Sequence, residues 1–305
     1  MNELKSTREG YGQALLELGK NKKVVALSAD LTESNQVTKF AERYPQRFFQ
    51  CGVAEQNMIT MATGLALENK IPFASSFGVF LPMRCLDQIR ISVCYNQANV
   101  KMVATHCGLM TGEDGATHQA LEDVAALRSI PGITIIEPID YYQAIKATKA
   151  AAKLKGPVYL RLHRAKTEPI TGPLTTFKIG QAQLLQKGEK VTIIGSGPVL
   201  KEAFKLNSFL NFKPEIINCH TIKPLDQKII KSIKKNKKVL VLQDHQKIGG
   251  LGSAITELVS DQNSIKIKIL GMPDKFGESG TIEQLWNKYG FSTRNILKNV
   301  KELIE

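Results

Sequence analysis

The chain has 305 residues, 43% hydrophobic and 23% charged, a balance ordinary for a soluble globular protein with a sizeable core, and its length predicts about two domains. No apolar run approaches the roughly 20 residues of a membrane span, and Met1 to Gly10 is too polar for a secretory signal, so a cytoplasmic protein is expected. The net charge of +13 favours anionic partners such as sugar phosphates, nucleotides, nucleic acid or an acidic subunit, and five scattered cysteines form no pair of metal-ligand or redox spacing.

In chain order, Arg8 to Leu18 reads as a helix through Tyr11, Leu15 and Leu18, and Val24 to Ser28 as a buried strand. The loop Ala29 to Asn35 carries Asp30, Thr32 and Ser34. A short helix and a strand ending near Cys51 follow. Gly52 to Asn57 then leads into a helix through Leu67 whose Ala62, Gly64 and Ala66 suit close packing. Strand Ile71 to Ser75 precedes Phe77-Gly78-Val79-Phe80 and a helix to about Tyr95. Val100 to Ala104 is another buried strand, followed by a loop from Thr105 to Gln119, a helix Leu121 to Ile130, strand Thr134 to Ile136, helix Tyr141 to Ala152 and strand Pro157 to Leu162. Strands alternating with helices predict a mostly parallel sheet covered on both faces.

Between Lys166 and Lys178 the pattern lapses into prolines, glycine and threonines, which marks a linker between domains at 1–165 and 179–305. The second unit has expected strands at Val191 to Ile194, Glu215 to Asn218, Val239 to Leu242 and Ile265 to Leu270, then a helical tail. Gly195-Ser196-Gly197-Pro198, at a strand-to-helix turn, reads as a plain tight turn, with a phosphate cradle as the alternative, since the third glycine and acidic ribose ligand of a dinucleotide site are missing. His245 has no obvious sequence partner and reads as structural. The lysines from Lys231 to Lys238 end a predicted helix, where they suit the dipole and solvent, and no aromatic residues interleave with them as on a nucleic-acid platform.

Chemistry concentrates in the first unit. The loop Thr105 to Gln119 sets His106, Cys107, Glu113, Asp114 and His118 among three glycines after a strand, where open α/β sheets place ligand sites; a plain hydrophilic turn is the alternative. Cys107 reads as a small buried packing residue. Glu55 opens an apolar helix, either as an exposed acid favoured by the dipole or as a partly buried one able to pass a proton to a heterocycle. Phe77 and Phe80 are either core residues or a stacking wall for a flat ring.

Taken together, Ser28 to Asn35 (SADLTESN), Gly52 to Met58 (GVAEQNM), Ser76 to Phe80 (SFGVF) and Gly112 to Gln119 (GEDGATHQ) resemble the transketolase family. Thr221 to Asp226 and Ile248 to Gly252 extend the resemblance through the second unit. It covers essentially the whole chain but only the C-terminal half of a full transketolase, as in the C-terminal subunit of a split one. The resemblance implies an α/β protein of two doubly wound domains, a thiamine-diphosphate-binding-fold pyrimidine domain followed by a transketolase C-terminal-like domain. It implies transfer of a two-carbon ketol unit between phosphorylated ketoses and aldoses of the pentose phosphate pathway. Glu55 matches the acid that hydrogen-bonds the remote ring nitrogen of thiamine's aminopyrimidine. Phe77 and Phe80 match aromatics around that ring, Met83 stands where the family has a tyrosine, and Asp30 matches a residue near the cofactor. His118 matches a histidine placed for proton transfer to sugar oxygens, and Asp114 one that holds a sugar hydroxyl. His106, Arg8, Ser34 and Arg164 match the phosphate grip, with Arg161 a neighbouring alternative to Arg164.

The N-terminal diphosphate-binding domain, with its Gly-Asp-Gly signature and metal-ligating Asn, is absent from this sequence, and no residue here is assigned to a metal. The resemblance therefore implies that thiamine diphosphate, with Mg²⁺ held mainly by a separate N-terminal subunit, completes the site. Two copies of each subunit would form a heterotetramer built around a homodimer of this chain. The alternatives are 1-deoxy-D-xylulose-5-phosphate synthase or a 2-oxoacid dehydrogenase beta subunit, or a non-catalytic regulatory subunit. No nucleic-acid or membrane partner is expected.

Overall fold

The computed structural model describes residues 3–305. Its strands, in chain order, are β1 (Val24–Ser28), β2 (Phe48–Gln50), β3 (Ile71–Phe77), β4 (Lys101–Thr105), β5 (Thr134–Ile136), β6 (Val158–Arg161), β7 (Gln183–Gln186), β8 (Thr192–Gly195), β9 (Glu215–Asn218), β10 (Thr221–Lys223), β11 (Lys238–Gln246) and β12 (Lys266–Met272). They form two sheets, ordered β10-β5-β6-β4-β3-β1-β2 and β12-β11-β8-β9-β7. Within each sheet every pairing is parallel except the edge pairs β10–β5 and β7–β9. The expected pair of α/β units is thus observed. All five residues of β1 and of β4 are buried, because helices cover both faces and parallel strands then have no solvent side.

Three helices frame the region of interest: α1 (Thr7–Leu18), α2 (Thr38–Arg43) and α3 (Glu55–Leu67). Ser6 starts α1 with a capping box, its hydroxyl accepting from the Glu9 amide while Glu9 takes the Ser6 amide at 2.6 Å. The single long helix expected from Phe80 to Tyr95 is instead broken. Short turns at Leu81–Arg84 and Leu86–Gln88 lead into a π-helical stretch, Ile89–Tyr95, with Cys85 off helical geometry between the turns. Hydrophobic periodicity carries no information about i→i+5 bonding, which often accompanies functional sites.

β7 and β10 escaped the sequence reading. Both are short, and β7 is only half-buried, so neither shows a clean period-two pattern. β10 has a larger consequence, since it follows β9 of the second sheet yet pairs with β5 at the edge of the first. One hydrophobic cluster runs from Leu27, Met58 and Ala104 to Ile217, Val241 and Ile255, so the two sheets share a core.

Candidate active site

β6, β4, β3 and β1 lie side by side and parallel, so their C-terminal ends share one edge. Arg164 follows β6, His106 follows β4, Phe77 ends β3, and Ser34 lies in the loop after β1. Arg8, from the first turn of α1, completes the group. With Asp114, Glu33 and Gln36 these residues line a pocket of about 370 Å³. Glu33 and Gln36 were not singled out from the sequence, although Asp30, Thr32 and Ser34 marked the loop beside them.

The pocket walls are cationic and polar. Arg8 Nη1 donates to the Ser34 carbonyl at 2.8 Å, while its Nε is buried without a partner. Arg164 Nη1 donates to the Thr111 carbonyl at 2.9 Å and to Asp114 at 3.1 Å. Burial first, then the Arg164 charge, pull the Arg8 pKa below its usual value, with the Glu9 and Asp114 carboxylates opposing them. Arg161, the alternative to Arg164, lies elsewhere: it is fully buried and lines no part of this pocket.

His106 is 3% exposed and holds a left-handed backbone, φ +58°, uncommon for a side chain of its size. Thr111 fixes that conformation by donating to the His106 carbonyl at 2.7 Å. The ring lies against Phe77, centroids 3.9 Å apart. Burial first, then the Arg8 and Arg164 charges, push its pKa down to about 3. The imidazole is therefore neutral at physiological pH. The unfolded chain takes up this proton below about pH 6.5 and the folded chain refuses it until about 3, so the contribution is intact above 6.5 and is lost on acidification between those values. His106→Gln is expected to flatten the acid limb of the stability profile by up to about 1.4 kcal/mol per pH unit, measured by urea unfolding across that window. An unchanged slope would refute a buried neutral His106.

Toward the other side, Phe77 stacks on Phe80 at 5.7 Å, and His118 meets both rings edge-on, at 5.9 and 5.5 Å. Thr117 holds His118 Nδ1 at 2.9 Å, leaving Nε2 as the free nitrogen of a half-exposed ring. Glu55 is the first residue of α3, where the helix dipole favours an acid, but it is 2% exposed and not the solvent-facing acid of the alternative reading. Its carboxylate accepts from Arg84 Nη1 at 2.7 Å and from Ser76 Oγ at 3.4 Å. Arg84 in turn lies over the Phe80 ring at 4.4 Å. Sequence reading passed over Arg84, whose only signal is its place four residues after Phe80. A path of contacts thus runs from Glu55 through Arg84, Phe80 and Phe77 to both histidines. Met83 and Asp30 are exposed and do not line the pocket; Asp30 has φ +58° and its amide donates to Gln50 Oε1 at 2.8 Å. Cys107 is fully buried, as read.

The second sheet holds the loop that carries Asp114 and His118. Asp244, fully buried, accepts from the Leu109 amide at 2.9 Å and from the Met110 amide at 3.2 Å. Gly108, at φ +73°, leaves room for that carboxylate, which a Cβ would meet at 2.4 Å. Gln119 Nε2 bridges the Gly112 and Glu278 carbonyls. Asp244→Ala would orphan two buried amides, so a loss of about 2–3 kcal/mol in stability is expected, with a raised KM for substrate, by denaturation and steady-state kinetics. Stability loss with KM unchanged would show that the other contacts suffice to place the loop. His245 does have partners: its ring accepts from the Ala125 amide at 3.3 Å and pairs with the Gln246 carbonyl at 2.8 Å. The Gly195–Pro198 turn packs on Glu137, which receives the Ser196 hydroxyl at 2.5 Å. Among the described residues, no three His, Cys, Asp or Glu side chains group closely enough to hold a metal ion, and no helix is long and apolar enough to cross a membrane.

Known proteins match this chain along almost its whole length. Residues 4–169 match the transketolase pyrimidine binding domain and residues 180–296 the transketolase C-terminal domain. A protein of Methanocaldococcus jannaschii, provisionally named a transketolase C-terminal section, is 44% identical over 98% of this chain and 96% of its own length. A solved structure described as a split gene transketolase, inactive beta4 tetramer, is 38% identical with a TM-score of 0.91, covering 98% of both chains. Human transketolase is 36% identical over 98% of this chain but only 49% of its own length.

Proposed function

The chain belongs to the transketolase family as a C-terminal subunit, and we propose that it works with a separate N-terminal, diphosphate-binding subunit to move a two-carbon ketol unit between phosphorylated sugars. The convergence of Arg8, Arg164, Ser34 and neutral His106 on one cavity carries this reading. Two guanidiniums supply charge-assisted, fork-shaped donors to a tetrahedral oxyanion, which a lone lysine cannot do. Asp114, held by Arg164 at the same cavity, is the group we assign to take a sugar hydroxyl. His118 offers its free Nε2 for proton transfer at the sugar oxygens as the carbon–carbon bond breaks or forms.

The pyrimidine end of thiamine diphosphate fits the other half of the site. A buried carboxylate at Glu55 can hold a proton at a ring nitrogen, and the Phe77–Phe80 pair offers an aromatic wall. When bound, thiamine diphosphate supplies the carbon nucleophile that carries the two-carbon unit. The anchoring metal and the diphosphate ligands are assigned to the partner subunit. The surface beside Glu55 suits such a partner: Val53 is 74% and Tyr95 83% exposed, with Met61, Met83, Leu86 and Ile91 exposed on the same two segments. We assign these segments to subunit contact, with two copies of each subunit in the active assembly.

Mixing the chain with its N-terminal partner, thiamine diphosphate and Mg²⁺, and following transfer from xylulose 5-phosphate to ribose 5-phosphate with each component omitted in turn, tests the proposal. Turnover only in the complete mixture supports it. Turnover by this chain alone overturns the shared site, and turnover with pyruvate as donor would place the chain with deoxyxylulose-phosphate synthase instead.

A further inference from the structure

His106 is neutral, so its ring carries one proton, and only the tautomer with that proton on Nε2 can donate to an anion in the pocket. Nδ1 is committed to Thr105 Oγ1, 2.9 Å away, and Thr105 Oγ1 lies 2.7 Å from the Asn35 side-chain amide. Thr105 and Asn35 are both fully buried, so water does not compete within this row of three groups.

Two proton arrangements are compatible with those distances. With Asn35 Oδ1 toward Thr105, the hydroxyl donates to it, Oγ1 accepts from Nδ1–H, and Nε2 faces the pocket bare. That arrangement also leaves Asn35 Nδ2 buried with no acceptor. Turning the amide over moves no other atom, because oxygen and nitrogen are nearly isosteric. Nδ2 then donates to Oγ1, the threonine hydroxyl donates to Nδ1, and the proton sits on Nε2. The unpaired atom becomes a carbonyl oxygen, a commoner and cheaper orphan than an unpaired N–H.

We infer that Asn35 and Thr105 are positioning residues, a buried two-link relay that fixes His106 as the Nε2–H tautomer and so makes the pocket a phosphate receptor. Neither touches substrate; both act through His106. The relay rests on the phosphate-grip reading of the pocket, and its test separates the two.

The chain has only five histidines, so ¹⁵N-histidine spectra of the full chain at pH 8, with His106 assigned through His106→Gln, read the tautomer directly. Inorganic phosphate is the probe for the pocket. Wild type is expected to show a protonated Nε2. In Asn35→Asp the side chain, once ionised, can only accept, so the relay reverses, the proton moves to Nδ1, and phosphate affinity falls roughly ten- to a hundredfold. Thr105→Val cuts the relay, so adding Asn35→Asp to it should leave the tautomer unmoved; Thr105→Ser keeps the hydroxyl and should restore the response. A wild-type ring protonated on Nδ1 overturns the inference. So does an Asn35→Asp effect that survives in the Thr105→Val background, which would mark simple charge repulsion. Should these results hold while no ketol transfer is found, the relay stands and the proposed reaction falls. Ketol transfer by a protein whose His106 Nε2 is bare has the opposite meaning.

Discussion

Glu55→Gln in the assembled complex is expected to lower kcat roughly a hundred- to ten-thousandfold, the span usual for removing a general acid or base. Glutamine keeps the shape of the side chain and can still hydrogen-bond a heterocycle, but it cannot take up and return a proton. The loss should therefore fall on turnover, with thiamine diphosphate affinity and subunit assembly changed little. Glu55→Asp should also be strongly impaired, because the shorter carboxylate stops short of the same ring atom. Arg84 is a useful control. It holds the Glu55 carboxylate at 2.7 Å in the chain by itself, yet Arg84 is partly exposed and Glu55 is not. On the proposed reading, an aminopyrimidine would have to share or displace that contact to reach the acid. Steady-state rates with partner, cofactor and both sugar phosphates settle the matter: near-wild-type turnover of Glu55→Gln would remove Glu55 from the chemistry and favour a non-catalytic subunit.

Arg161→Ala is expected to cost the fold about 3–5 kcal/mol, the range for stranding a buried charge. Arg161 is fully buried at the end of β6. Its guanidinium donates to Asp123 at 2.8 Å and Glu137 at 2.5 Å, and to the carbonyls of Ala120 at 2.9 Å and Asp244 at 3.0 Å. Glu137 continues the network to His163 at 3.0 Å, and across to Ser196 and Gln243 of the second sheet. The Arg161 charge, with the hydrogen bonds from His163 and Ser196, holds the Glu137 carboxyl well below the usual carboxylate range despite its burial. Removing the arginine leaves two carboxylates in a dry interior and unties the halves where they meet. The triple variant Arg161→Met, Asp123→Asn, Glu137→Gln, which removes all three charges, should recover much of the loss. Thermal and urea unfolding of the single and triple variants would check both points. A single variant as stable as wild type would show that the network contributes nothing net to holding the halves together.

Much of the site was legible because its residues sit in short local motifs. The loop after a buried strand, the acid opening an apolar helix and the paired phenylalanines could each be read from neighbours in sequence. The parallel alternation of strands and helices then fixed that their loops would share an edge. Local pattern also determined the fold class, since buried strands with no polar face and helices with one apolar side leave few other arrangements. Arg164 over Arg161 was beyond that reach. Arg161 ends strand β6 and Arg164 follows it three residues later, and only the turn of the backbone sends one into the core and the other into the pocket. Arg84 on Glu55, Asp244 under the Thr105–Gln119 loop and Asn35 on Thr105 are likewise contacts between residues 29, 135 and 70 positions apart in the chain. The sequence alone determined which chemical groups the protein carries and the local elements that present them. Which groups touch, which are dry and where a neutral ring keeps its proton were decided by the tertiary structure, because burial and long-range hydrogen bonds exist only once distant segments have packed.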